Sequence, residues 1–320
     1  MVETNRMENN DSVQYKVIDP NIEKDKDKDK LHTQIDTSNP ELVIHEYVKN
    51  KKPKVYILTP CFGGTCFINY MICLMNTIDL LKQYNIQCKV EFCRNDSLVS
   101  RARNNLVAKA MKDPETTHIL FIDNDISWDP MDVIKLLMSD KELLGGIYPL
   151  KRYNWDRILK DPLNPYNTNL IQDLLSRKTS SQLKDMISDE LMVRCNLVDY
   201  NVNYLSSNVR IENNLAPVKH IATGFMMIQR TTIEQMMKAY PETKYTDDVH
   251  FLLPEENEFA YALFDCGVQE GHYFSEDWLF CDRWTKLGGT IYAHVTVNLS
   301  HTGIEDFTGC YLSTILGSIS

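Results

Sequence analysis

From residue 54 to residue 150, short apolar runs alternate with amphipathic stretches, and each apolar run ends in a polar or glycine-bearing cluster. VYILTP (55–60) is an apolar run closed by a proline, the pattern of a buried strand entering a loop. After Gly63 and Gly64, residues 66–84 have the periodicity of an amphipathic helix, and CKVEFC (88–93) alternates as a second strand. Residues 97–112 place Leu98, Ala102, Leu106 and Ala110 four apart, which predicts a helix. HILF and the acids after it predict a third strand, residues 131–139 a helix, and LLGGIYPL (143–150) a fourth strand. Strand and helix in alternation predict an α/β fold with a mostly parallel central sheet flanked by helices. Ligands gather at the carboxyl ends of the strands in such sheets, and TPCFGG, RNDS and DND all fall there.

The pattern weakens over residues 151–217, which are polar and asparagine-rich with Pro162 and Pro165; they predict an irregular insertion containing a helix at 170–183. Regularity returns as a strand at 219–230, a helix at 231–240, mixed loop and strand over 245–269, a helix at 275–289 and a last strand and polar turn over 290–303. Residues 1–50 differ from the rest, because the charge alternation KDKDKDK has nothing to bury. They are expected to form a disordered or loosely attached tail, structureless over 1–38 with a short helix or strand near 42–48. A single domain is expected over 51–320.

Composition narrows the function only by exclusion. A chain of 320 residues that is 43% hydrophobic can bury a sizeable core, so it is neither disordered nor a disulfide-stapled miniature. Its 34 basic and 44 acidic residues give a net charge of −10, against the basic surplus that general nucleic-acid binding needs. None of the 9 cysteines forms a CxxC pair, which predicts free thiols rather than a zinc ribbon. No apolar stretch reaches the roughly 18 residues of a membrane span. The expectation is a soluble, cytoplasmic protein with no nucleic-acid partner.

The sharpest chemical feature is Asp123-Asn124-Asp125, directly after the apolar run ILFI. A strand end fixes the backbone, so alternate residues there can present two carboxylates at the rim of the sheet. Such a pair suits Mn²⁺ or Mg²⁺ with coordination positions left for phosphate oxygens. The same three residues also suit an ordinary turn.

In order along the chain, VYILTPCFGG, RARNNLV, LFIDNDISWDP, ATGFMM, SEDWLFCDRW and SHTG resemble the motifs of GT-A glycosyltransferases, more narrowly those of large DNA viruses of algae and amoebae. The resemblance covers residues 53–150 well and 219–305 moderately. It implies the GT-A (Rossmann-like) fold, a nucleotide-sugar donor with uridine the common base, a glycan or glycoprotein acceptor, and the family's DxD at Asp123, Asn124 and Asp125. Asp125 would bind the metal directly and Asp123 the ribose, or the metal through water. His301 would be a third metal ligand, with His220 and His294 as weaker alternatives inside strands. Thr59, Pro60 and Cys61 fall where the family holds base and ribose.

Arg101 and Arg103 lie two apart on a helix and cannot share a face. A guanidinium there can fork onto phosphate or base oxygens; Arg101, with Asn105 one turn on, is the expected donor-site residue and Arg103 the surface one. Ser275-Glu276-Asp277 resembles the acidic pair that many of these enzymes place at a helix start, with Asp277 as general base or acceptor contact and Glu276 second. It also fits plain helix initiation, in which the dipole keeps both acids ionised. Trp155 is the expected sugar platform, and Trp278 and Trp284 the core tryptophans. A sugar-phosphate nucleotidyltransferase would place basic residues in the loop after the first strand, and PCFGGTCF has none. A non-catalytic sugar-binding protein would have lost the acids, and Asp123, Asp125 and Asp277 are present.

Overall fold

The computed structural model describes residues 14–18, 39–157, 170–179 and 188–304. In chain order the elements are β1 (Gln14–Ile18), α1 (Pro40–Lys51), β2 (Lys54–Cys61), α2 (Ile68–Gln83), β3 (Gln87–Arg94), α3 (Val99–Lys112), β4 (His118–Ile122), β5 (Ile126–Ser127), α4 (Pro130–Met138), β6 (Leu143–Ile147) and β7 (Pro149–Tyr153). Then follow α5 (Leu170–Thr179), α6 (Asp189–Leu197), β8 (Val198–Tyr200), β9 (Val202–Tyr204), β10 (Asn208–Glu212), β11 (Leu215–Ile221), β12 (Phe225–Gln229) and α7 (Arg230–Ala239). The last are β13 (Gly267–Gln269), β14 (His272–Phe274), α8 (Glu276–Lys286), β15 (Ile291–Asn298) and β16 (Ser300–His301).

The central sheet has the order β1-β10-β11-β15-β6-β12-β4-β2-β3, with β9 also on β11. Only β11 and β12 run against the common direction, so the sheet is mostly parallel, as expected. Both faces are covered, and the buried strands carry apolar residues on both sides. In β2, Tyr56 and Leu58 face the cluster built with α3, α7 and α8, while Val55 and Ile57 face the cluster built with α1, α2 and α4. The same alternation in β4 sends Ile119 and Phe121 one way and Leu120 and Ile122 the other. Asp129 starts α4 as a capping box with Asp132, ahead of Pro130.

Four expectations need correction. The run at 219–230 is two strands, because Ala222-Thr223-Gly224 leaves the sheet: β11 pairs with β15, whereas β12 pairs with β4 and β6. LLGGIYPL likewise breaks at Tyr148, where β6 ends and β7 turns away to pair with β8. The stretch expected to be irregular contains α5, α6 and four strands, β8 to β11, the last beginning at Leu215. Within the expected tail, Gln14–Ile18 pairs in parallel with Asn208–Glu212, and α1 buries Ile44 and Val48 against the domain. The rest of 1–38 lies outside the described residues. Among the described residues, no helix is long and apolar enough to cross a membrane.

Candidate functional site

The common direction of the strands brings the ends of β2, β4, β6 and β15 to one rim. Asp123 is the first residue beyond β4, and its N–H donates to Gly224 O at 3.0 Å. That contact sets the loop before β12 beside the acids. Only a glycine fits at 224, because a Cβ there would lie 2.6 Å from the Tyr148 hydroxyl. A second ladder closes the rim: β16 pairs with β5, Ser300 opposite Ser127 and His301 opposite Ile126. The Thr302 N–H donates to Asp125 O at 2.8 Å. His301 thereby reaches Asp125 from the far end of the chain.

Asp123 and Asp125 turn to different partners. Asp123 Oδ1 accepts from Arg103 Nη2 at 3.0 Å, and Arg103 Nε donates to Glu276 Oε1 at 3.1 Å. Thr223 Oγ1 donates to the same Glu276 oxygen at 3.3 Å. The guanidinium is 4% exposed and so holds two acids from separate elements together. Its third nitrogen, Nη1, is buried without a hydrogen-bond partner among the described residues. Burial works against the charge of Arg103, but Asp123 and Glu276 outweigh it and raise the pKa. Arg103, not Arg101, therefore enters the acid cluster. Arg101 forks onto Asp96 at 2.9 and 2.7 Å.

Asp125 Oδ2 meets the Lys151 ammonium and, at 3.4 Å, His301 Nε2. Burial tends to raise the Asp125 pKa, but these two partners outweigh it and lower it. His301 Nδ1 lies 2.9 Å from Pro149 O, an acceptor, so Nδ1 carries the proton. Nε2, the other ring nitrogen, faces Asp125 Oδ2 and is the atom a metal ligand would use. Lys151 supplies positive charge at Asp125 Oδ2, and His301 Nε2 stands beside the same oxygen. The pair fits a divalent ion that takes one or two protein donors and fills its remaining positions with water and phosphate oxygens. Among the described residues no group of three acidic, His or Cys side chains gathers as a closed metal cage. Asn124 serves the scaffold, donating from Nδ2 to Thr65 O at 2.7 Å.

Asp277 lies in the first turn of α8, where its Oδ1 accepts from Ser275 Oγ and from Trp278 N–H at 2.9 Å. Its pKa is raised, by burial first and then by the neighbouring Glu276. The helix dipole was expected to keep this acid ionised but a weaker base; burial and Glu276 act the other way and make it a stronger base than an exposed carboxylate.

Thr59 is fully buried, and its hydroxyl is 2.5 Å from Tyr70 Oη, so it is not free to meet a base edge. Pro60 is half-buried; Cys61 is buried with Sγ 3.4 Å from Cys66 Sγ. Asn105 is fully buried between Tyr245, which donates to its Oδ1, and Asp247. His220 and His294 are buried, as expected of strand residues, and burial pushes His220 down to about 4. Trp284 is core, and Trp278 stacks on His220 at 4.7 Å. Trp155 is 53% exposed beside Tyr153. The cysteines among the described residues are free thiols.

Sequence reasoning missed Tyr148, Lys151 and Thr223 at this rim. Tyr148 is buried with its ring edge against His301 at 5.1 Å, and burial and Asp123 raise its pKa. One signal was available for Arg103. Leu106, Val107 and Ala110 lie three, four and seven positions on, which places Arg103 on the buried face of α3.

No family model matches the chain, and no curated protein matches it. Among solved structures it is similar to "A197 from STIV", at 14% identity and a TM-score of 0.38, over 78% of this chain and 86% of that one. It is also similar to "GalNAc-T7 with UDP, GalNAc and Mn2+", at 11% identity and a TM-score of 0.35, over 79% of this chain. In that second case the chain spans 44% of the neighbour's length. What those two proteins bind is a property of theirs.

Proposed function

We propose that this protein is a metal-dependent glycosyltransferase that moves a sugar from a nucleoside diphosphate donor, a UDP-sugar, to a hydroxyl of a glycan or glycoprotein acceptor. The observation that carries the reading is one rim holding two sets of groups with opposite tasks. Asp125 and His301 form a half-built cation site, and Asp277 beside Glu276 is a carboxylate made more basic by burial.

Asp125 and His301 would hold Mn²⁺ or Mg²⁺, with Asp123 of the DxD directed to the ribose. The ion, when bound, offsets the charge of the diphosphate and makes it a better leaving group. Arg103 keeps Asp123 and Glu276 at fixed positions, so neither acid drifts onto the cation. Asp277 takes the proton of the acceptor hydroxyl as that oxygen bonds to the anomeric carbon and the sugar–phosphate bond breaks. The electron pair of that bond leaves on the diphosphate. The nucleobase would lie at the end of β2, Thr59–Cys61, without the Thr59 hydroxyl, which is engaged with Tyr70.

The test is calorimetry of UDP with and without Mn²⁺ on wild type and Asp125→Ala. The wild type is expected to bind UDP tightly only with Mn²⁺, and the variant to lose that metal-dependent part while keeping its melting temperature within a few degrees. Equal UDP–Mn²⁺ affinity in the two proteins would remove the metal assignment.

A further inference from the structure

Lys151 has no part in the reading above, yet it touches the same oxygen as His301: both its Nζ and His301 Nε2 lie on Asp125 Oδ2. Both approaches are organised by one segment. Pro149 fixes the imidazole through its carbonyl, and Lys151 sits two residues further along β7. The lysine stem runs over Gly303, where an added Cβ would stand 2.8 Å from Lys151 Cδ. A larger residue at 303 would therefore push the stem off this course. The stem's course over this glycine leads the ammonium to the carboxylate.

We infer that Lys151 is a built-in cation of the donor site: it occupies the position at Asp125 that a divalent ion takes, is displaced when the ion enters, and supplies positive charge to the donor's diphosphate. This inference rests on the donor site proposed above. An ammonium and a divalent ion cannot share Asp125 Oδ2, since two cations a few ångströms apart repel strongly at a half-buried site. The displaced side chain stays anchored on β7 next to the ion. Flexible and carrying a compact charge with three donors, it suits phosphate oxygens. Lys151 thus has opposite effects on the two ligands, lowering affinity for the metal alone and raising affinity for the nucleotide alone.

The experiment uses the full chain with Mn²⁺ alone and with UDP alone. Free Mn²⁺ is counted by electron paramagnetic resonance in titrations of wild type, Lys151→Met and Asp125→Ala, and UDP binding in EDTA is measured by calorimetry. Lys151→Met keeps the stem and removes the charge; it is expected to bind Mn²⁺ about 10-fold more tightly and UDP in EDTA about 5-fold more weakly. Lys151→Gln, which keeps a polar end, should show the same two signs and replaces the methionine variant if that one melts early. Equal Mn²⁺ affinity in wild type and Lys151→Met, lost in Asp125→Ala, would overturn the role of Lys151 while leaving the metal site standing. Weaker Mn²⁺ binding by Lys151→Met would overturn it as well. If Asp125→Ala takes up as much Mn²⁺ as both other proteins, the metal reading falls and this inference falls with it.

Discussion

Replacing Arg103 tests whether the acid cluster is held by a buried cation or merely lies near one. Arg103→Met keeps most of the stem's volume and removes the guanidinium, which is 4% exposed between Asp123 at 29% and Glu276 at 13%. Breaking a buried pair from one side costs about 3–5 kcal/mol. The Asp123 arm is partly screened by solvent and counts for less. Loss of the unpartnered Nη1 returns about 1–3 kcal/mol. The net expectation is a loss of about 2 kcal/mol, or a fall in melting temperature of roughly 3–4 °C for a domain of this size. Arg103→Lys keeps the charge but cannot bond both acids at once, so it should fall between wild type and Arg103→Met. Arg103→Met combined with Glu276→Gln removes one orphaned charge and should recover about 1 kcal/mol over the single variant. Differential scanning calorimetry at neutral pH and low salt reads all four proteins. A single variant melting within about 1 °C of wild type, or a double variant no better than the single, would refute the account of Arg103 as the tie between the two acids.

Asp277→Asn should leave UDP affinity nearly unchanged and slow transfer by about 100-fold. Burial and Glu276 raise this pKa, so the wild-type acid limb of kcat/KM should sit higher than that of an exposed aspartate, and the variant should lack it. Normal turnover by the variant would make Asp277 a helix-start residue and favour a mechanism in which the leaving phosphate takes the proton. His301→Ala should fail in a different assay: Mn²⁺–UDP binding weakens in part, since Asp125 and the diphosphate remain, and an unchanged metal requirement would exclude the ring as a ligand. Asp113 is half-buried, which alone would raise its pKa, but Lys54, Tyr56 and Lys89 donate to it and hold it well below the usual range. That lowered value adds stability above the unfolded pKa near ~3.9, and the contribution is lost as pH falls through the folded value. Asp113→Asn should therefore flatten the decline of melting temperature in acid, and a decline parallel to wild type would contradict it.

The parts legible in the sequence are those in which local periodicity and tertiary packing agree. Strands such as β2 and β4 are apolar on both faces because helices cover both, so short buried runs mark them without ambiguity. The breaks were hidden for the opposite reason. Nothing local in KHIATGFMMIQR says that Ile221 stays beside β9 while Phe225 moves to β4; at the break Tyr148, from another part of the chain, packs against Gly224. Short polar strands such as β8 and β9 have too few residues for a period to show. At the site, the acids were legible because a strand end followed by Asp-Asn-Asp is an unusual local pattern. Lys151 was not, because only β7 turning away from the sheet brings it to Asp125.

The short ladder of β16 on β5 also fixes when the site can exist. His301 meets Pro149 across 152 positions of chain, and the ring arrives only after β15 has been laid into the sheet. Contacts of such long sequence separation form late, since their loop-closure entropy must be met by structure already in place. A chain still emerging from the ribosome can thus complete β2, β4 and β6 with Asp123 and Asp125 already at their rim, while the imidazole is still missing. Cutting the backbone between Asn298 and Ser300 would recreate that immature state in the finished protein, with the sheet through β15 intact and the rim returned to acids and Lys151 alone.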